Sequence, residues 1–190
     1  SSDLWTWVAA VAAVALAVYA NTLGGVLLYD DVNAIRDNAF VLDGDMVGVL
    51  TKPSWWANGR GGLWRPLTTL TFVADHALHG LAPFGYHLVN VVAHAVVSVL
   101  VLVVFAHVTA APATALGASL LFATHPIHTE AVANVVGRAE LLAALGFFLA
   151  WRAWLVADAR SERSAVWVGV AVLVYFLAMF AKENAIALPA

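Results

Sequence analysis

The sequence predicts an all-α polytopic membrane protein of about five transmembrane helices, with an amphipathic helix in the first extracytoplasmic loop. Three observations carry this. The 190 residues are 63% hydrophobic and 11% charged, with a mean hydropathy of +0.86, whereas soluble domains hold roughly 25% charged residues. Apolar runs recur at lengths that suit a bilayer. The polar residues are gathered into the gaps between those runs. A net charge of −3 and a pI near 6.1 argue against a nucleic-acid binder, which needs a basic stripe. The absence of cysteine excludes disulfides and thiolate metal sites and leaves the redox compartment open.

The first apolar run, at 4–28, carries Trp5, Trp7 and Tyr19 as interfacial anchors. It is too long for a secretory signal and lacks the basic stretch that precedes one, so it reads as a retained membrane helix. Residues 29–86 form the long polar loop. Trp55-Trp56 and the glycine-rich turn from Asn58 to Trp64 suit a surface that rests on headgroups. After Pro66, Leu67, Leu70, Ala74, Ala77, Leu78 and Leu81 recur at helical spacing, with Thr68, Phe72, Asp75, His76 and His79 opposite. That pattern fits an interfacial helix of about four turns, ended by Gly80 and Pro83.

The second span is expected at 87–107, with His87, Asn90, His94 and Ser98 on one stripe. Such a stripe suits a hydrogen-bonded seam between helices or the lining of a cavity. The third, at 112–124, is about 18 Å long over its apolar run, short of a hydrocarbon core of about 30 Å. Either it tilts into a thinned region or the histidines after it lie at the floor of a cavity. The fourth span is expected at 126–157 and the fifth at 165–181, closed by Lys182-Glu183-Asn184. Because the sequence opens on Ser1 and stops inside an apolar run, residues 1–190 are expected to be the amino-terminal part of a larger membrane domain.

Between the third and fourth spans lies H-P-I-H-T-E-A-V-A-N-V-V-G-R-A-E-L-L, His125 to Leu142. With Pro126 suited to a first turn and no breaker before Gly137, it predicts a continuous helix. At about 100° per residue, Glu130, Asn134 and Arg138 then share one face. Ionisable groups at membrane depth are costly unless they face a wet cavity or one another, so the stripe marks a functional site by default. The bland alternative is pairing with neighbouring helices.

Arg160 and Arg163, with Arg152 nearby, mark the turn after the fourth span as cytoplasmic by the positive-inside rule. The amino terminus is then cytoplasmic. Asp30-Asp31, Arg65, His125 to Glu130, and Lys182-Glu183 all fall on the opposite side. A carboxylate facing cations at a membrane surface suits a reaction on an anionic lipid. The carboxylate acts as general base toward a hydroxyl, and the cations hold a phosphate leaving group.

Five motifs carry a resemblance: Y-D-D-V-N-A-I at 29–35, W-R-P-L-T-T-L-T-F at 64–72, G-Y-H-L-V-N-V-V-A-H-A at 85–95, the block extending from Leu121 to Leu142, and L-A-M-F-A-K-E-N at 177–184. In this order and spacing the chain resembles the TMTC family, transmembrane O-mannosyltransferases with tetratricopeptide repeats of the GT-C glycosyltransferase class. The resemblance implies a GT-C-like enzyme that moves a sugar, typically mannose, from a polyprenyl- or dolichyl-phosphate donor to a protein Ser or Thr hydroxyl, with inversion. It places Asp30 and Asp31 at the catalytic acidic positions. Arg138 is its foremost phosphate ligand, followed by Lys182 and Arg65. Glu130 and His128 position these groups or the sugar, and His125, Asn134 and Glu183 complete the expected substrate-binding set. The remaining spans and the repeats are not in this sequence, so the segment alone is expected to be inactive. The resemblance implies the plasma membrane for a microbial source and the endoplasmic reticulum for a eukaryotic one.

Two other readings compete. A transporter or channel would use His87, His94, Glu130 and Arg138 as a proton or ion relay, but it needs polar groups at every depth. A divalent metal is an option through His76 and His79, or His125 and His128 with Glu130. No third ligand at a recognised spacing supports either pair, so no metal ligand is assigned.

Overall fold

The computed structural model describes residues 2–55, 63–159 and 164–187. Its helices are α1 (Ser2–Tyr19), α2 (Ala39–Leu42), α3 (Met46–Thr51), α4 (Pro66–His79), α5 (Pro83–Thr109), α6 (Pro112–Thr124), α7 (Thr129–Ala133), α8 (Arg138–Ala159) and α9 (Ser164–Met179). Proline occupies the first turn of α4, α5 and α6, where its missing N–H breaks no bond and its fixed φ favours the helix. Pro83 therefore begins the second span four residues before the expected His87.

Leu4–Gly24, Pro83–Thr109 and Val135–Ala159 are long and apolar enough to cross a bilayer. At 13 and 16 residues, α6 and α9 are apolar but shorter. The first span stops at Gly24 rather than 28, because Gly25 turns extended (φ −71°, ψ 174°).

The central helix is α5, which touches α1, α6 and α8, while α9 packs on α8. Val11, Leu102 and Ala115 join α1, α5 and α6, and Ala15, Ala95 and Ala123 continue that contact. Small residues let the backbones approach where lipid offers no hydrophobic advantage to association. α8 and α9 also approach closely, since a Cβ on Gly146 would lie 2.4 Å from that of Ala178.

The long polar loop folds as a packed cap. Ile35, Val41, Val49 and Trp55 are buried against Phe72 of α4, Tyr86 of α5 and Ala139 of α8. Asn38 caps α2 by accepting from the Phe40 N–H, and Asp45 caps α3 by accepting from that of Gly48. The expected interfacial helix is α4. Its Thr68, Phe72 and Asp75 face turns inward, while Ala74, Ala77 and Leu78 stay exposed, and Gly80 ends it at φ 58°. Most of the headgroup turn, Asn58 to Gly62 with Trp56, and the topology markers Arg160 and Arg163 lie outside the described residues.

Candidate functional site

The helix expected over His125 to Leu142 is broken once, at Asn134, and tightened by two 3-10 turns. A 3-10 turn at Pro126–His128 leads into α7, which stops at Asn134 (φ −86°, ψ 125°), and a second 3-10 turn at Val135–Gly137 leads into α8. Groups that a continuous helix would pair are satisfied from elsewhere. The Asn90 amide donates to the carbonyls of Val132, Asn134 and Val135 at 3.4, 3.1 and 3.2 Å. Asp31 Oδ1 accepts from the Val136 N–H at 2.8 Å. Gly137 is required by close approach, since a Cβ there would lie 2.5 Å from the Ala131 carbonyl oxygen.

The break separates the expected stripe. Glu130 and Asn134 face a cavity, whereas Arg138 turns into the protein and is fully buried. Arg138 Nη1 lies 2.5 Å from Asp75 Oδ2. It also donates to Asn90 Oδ1 at 2.9 Å, to Thr71 Oγ1 at 3.1 Å and to the Tyr86 carbonyl at 2.9 Å. Its guanidinium lies 4.9 Å from the Phe72 ring centroid. Every edge is engaged, so Arg138 offers no free fork to a phosphate. The sequence placed Arg138 foremost because its partners lie on α4 and α5, remote in the chain.

The cavity, of about 570 Å³, is walled by the loop, α5, α6, α7, α8 and the residues after α9. Asp30, Arg65, Glu130, Glu140 and Lys182 charge its walls, and Val97, Phe122, Leu141 and Ala144 supply apolar surface. Tyr29 takes the left-handed conformation (φ 47°), and the two aspartates after it part company. Asp30 is exposed and lines the cavity. Asp31 is 1% exposed and accepts from the backbone N–H groups of Val136 and Leu28, the latter at 3.3 Å. Burial pushes the Asp31 carboxyl above its ordinary range, against the pull of those N–H groups.

Arg65 donates from Nε and Nη2 to the two carboxylate oxygens of Glu183 at 3.0 and 2.6 Å, and lies 4.8 Å from the Trp55 ring centroid. That hydrogen bonding holds the Glu183 carboxyl below its usual range. Lys182 pairs with Glu140, whose other oxygen accepts from Asn184 at 3.0 Å. The same segment is sewn to α4, because the Leu67 N–H donates to the Phe180 carbonyl at 3.1 Å and Thr68 to that of Ala181 at 3.0 Å. Glu140 was not among the expected site residues. Its place one turn after Gly137, beside Leu141, was the available signal.

His128 lines the cavity with its ring centroid 4.3 Å from that of Phe122. His125 does not. Its Nδ1 accepts from the Ile127 N–H at 3.2 Å, and its carbonyl accepts from Tyr19. Glu183 likewise acts from behind Arg65. The α5 stripe meets both expectations: His94 lines the cavity and its Nε2 meets the Ala123 carbonyl of α6 at 3.1 Å, while Ser98 donates to the His94 carbonyl within α5 and His87 lies against Gly25. Among the described residues, no group of three or more His, Asp or Glu side chains comes together to hold a metal.

Fold and site define a polytopic helical membrane protein with a charged cavity walled by its first loop and its helix ends. The chain is similar to protein O-mannosyl-transferase Tmtc1 of Drosophila melanogaster, at 37% identity over 94% of this chain and 21% of that protein. It is 38% identical to human protein O-mannosyl-transferase TMTC3 over 93% of this chain and 20% of that protein. Mouse protein O-mannosyl-transferase TMTC2 is 41% identical over 72% of this chain and 17% of its own length. The chain belongs to the TMTC family, and it spans about a fifth of the length of these relatives. No family model and no solved structure matches it.

Proposed function

We propose that the cavity is the donor end of a protein O-mannosyltransferase. It takes mannose from a polyprenyl- or dolichyl-phosphate on the extracytoplasmic or lumenal side and gives it to a Ser or Thr hydroxyl. The observation that carries this is the meeting of two exposed carboxylates, Asp30 and Glu130, with two cations, Arg65 and Lys182, in a single cavity, where Arg65 is paired with Glu183 and Lys182 with Glu140. Its supports are the names of the relatives and the apolar helices around the cavity.

In the reaction the acceptor oxygen attacks the anomeric carbon from the side opposite the phosphate. Asp30 takes the hydroxyl proton as general base. The bond from the anomeric carbon to the phosphate oxygen breaks, its electron pair leaves with the lipid phosphate, and the anomeric configuration inverts. Arg65 and Lys182 balance the charge that gathers on that phosphate, where a positioned cation stabilises the transition state more than the ground state. Glu130, Asn134 and His128 are the polar groups left to orient the sugar. Asp31 holds the Asp30 turn against Val136 and is a positioning residue.

The test is transfer by the full-length protein from radiolabelled polyprenyl-phosphate mannose in membranes. Asp30→Asn is expected to lower turnover about 10²- to 10⁴-fold, the usual worth of a general base, with donor binding retained. Asp31→Asn keeps an oxygen for the Val136 N–H and is expected to fall much less. Equal turnover of Asp30→Asn and the parent protein would overturn the assignment.

A further inference from the structure

Two residues other than glycine take a positive φ among the described residues, Ala110 at 51° and Tyr29 at 47°. Ala110 caps the carboxyl end of α5, where the left-handed conformation is an ordinary way to close a helix. Tyr29 ends no helix. It is the first central residue of a turn that the Asp31 N–H closes on the Leu28 carbonyl at 2.9 Å, and Asp31 Oδ2 braces the same turn by accepting from the Leu28 N–H at 3.3 Å. Glycine is the usual occupant where φ is positive at that position, and for a bulky side chain the conformation is a genuine outlier.

The ring gains nothing from the protein in return. Tyr29 is 86% exposed, the most exposed of the large apolar and aromatic residues described. Among the described residues its phenol makes no hydrogen bond and its ring no aromatic contact. Backbone strain that packing does not reward collects at functional sites. The next residue is Asp30, which lines the charged cavity, whereas Tyr29 stands outside that lining.

We propose that Tyr29 is an acceptor-binding residue of this site: its ring bears on the polypeptide that flanks the Ser or Thr whose hydroxyl proton passes to Asp30. This rests on the reading of Asp30 as general base. Inversion puts the base and the departing phosphate on opposite sides of the anomeric carbon. The acceptor therefore arrives on the side of Asp30, and a residue joined to the base but turned out of the cavity meets the acceptor rather than the donor. One turn makes both placements. It leaves Asp30 on the cavity wall and the Tyr29 ring outside it, while Asp31 stays tied to the Val136 N–H at 2.8 Å. A tyrosine ring offers large, rigid contact area at low entropic cost.

A headgroup anchor would also be an exposed tyrosine just past a span. It would need no left-handed backbone, since the exposed positions of Val26 and Leu28 lie nearer the end of the first span.

The experiment uses the full-length protein in nanodiscs, with radiolabelled polyprenyl-phosphate mannose and the best accepted of a set of threonine-containing peptides. Glycine suits a φ of 47° better than tyrosine does, so the unfolding temperature of Tyr29→Gly should equal or exceed the parent's. Its KM for the peptide is expected to rise about tenfold, the worth of one aromatic contact, with KM for the donor unchanged. Tyr29→Phe, which keeps the ring, should restore most of the peptide affinity. A photoreactive benzoylphenylalanine in place of Tyr29 should crosslink to the peptide. An unchanged peptide KM in Tyr29→Gly, with crosslinking to lipid, would overturn the assignment and make the residue a headgroup anchor. A raised donor KM would overturn it by putting the ring on the donor side, and a lowered unfolding temperature by making the ring a structural contact. None of these results touches the reading of Asp30, which stands or falls with Asp30→Asn. Failure of the parent protein to transfer mannose from this donor to any peptide or membrane protein would overturn the donor reading itself.

Discussion

Arg138 and Asp75 are a charged pair removed from water, and each is tolerable only because of the other. In a low-dielectric interior the loss of hydration roughly offsets the attraction, so such a pair contributes little net stability, whereas removing one partner leaves a bare charge. Arg138→Met is therefore expected to destabilise the protein by about 3–5 kcal/mol. The double variant with Asp75→Leu should recover part of that loss, because it buries no charge. Thermal unfolding in detergent of the parent, both single variants and the double variant checks this. A double variant no better than Arg138→Met would show that Asn90, Thr71 and Tyr86 dominate, rather than the ion pair. The sequence displayed Arg138 as an ionisable residue in an apolar helix, which signals importance. It did not display which of two roles the residue has, since Asp75 sits on another helix.

At the level of elements, the decisive event is the interruption at Asn134. Local sequence contains no reason for it, since no proline or glycine stands between Pro126 and Gly137. Asn90 and Asp31 supply the alternative partners, and both are distant in sequence, so tertiary contact overrides a local helix signal. The packing of the long loop is hidden in the sequence for a related reason: its polar residues dominate the composition, while Ile35, Val41, Val49 and Trp55 are spaced irregularly and show their common purpose only once folded. By contrast, the extent of α4 and its Thr68, Phe72 and Asp75 face are legible, because periodicity is a local property. Close approach of α8 and α9 is a further element-level feature. Gly146→Leu is expected to force them apart, costing about 1–3 kcal/mol and lowering sugar transfer by drawing Lys182 from Glu140. Gly169→Leu, where a Cβ meets nothing within 4 Å, is the control and should leave both unfolding temperature and transfer near the parent values.

For the molecule as a whole, convergence of Asp30, Arg65, Glu130 and Lys182 on one cavity was readable from the positions at which apolar runs end. Consecutive spans alternate direction, so the ends of odd and even spans collect on opposite faces. What alternation does not give is which of those polar ends share a cavity and which, like His125, turn aside. The orientation expected from the charge rule can be tested because the chain has no cysteine of its own. Ile127 is 72% exposed beside the cavity, and Asp158 is exposed at the other end of α8. A thiol from Ile127→Cys is expected to react with an impermeant maleimide added outside sealed cells, and one from Asp158→Cys only after the membrane is opened. The reverse pattern would invert the topology and move the proposed chemistry to the cytoplasm.

The bonds that shape the cavity also have an order in time. Asp31 reaches a partner 105 residues later, and Arg65 one 118 residues later. A ribosome delivers the chain from its amino terminus, so Asp31 and Arg65 leave the exit tunnel long before Val136 and Glu183 exist. Until α8 enters the bilayer, Asp75 has no counterion, and until the residues after α9 emerge, the cavity lacks a wall. During synthesis Asp75 is therefore expected to wait for Arg138, its partner 63 residues later. Arrest of translation between α6 and α8 should trap the chain in that state.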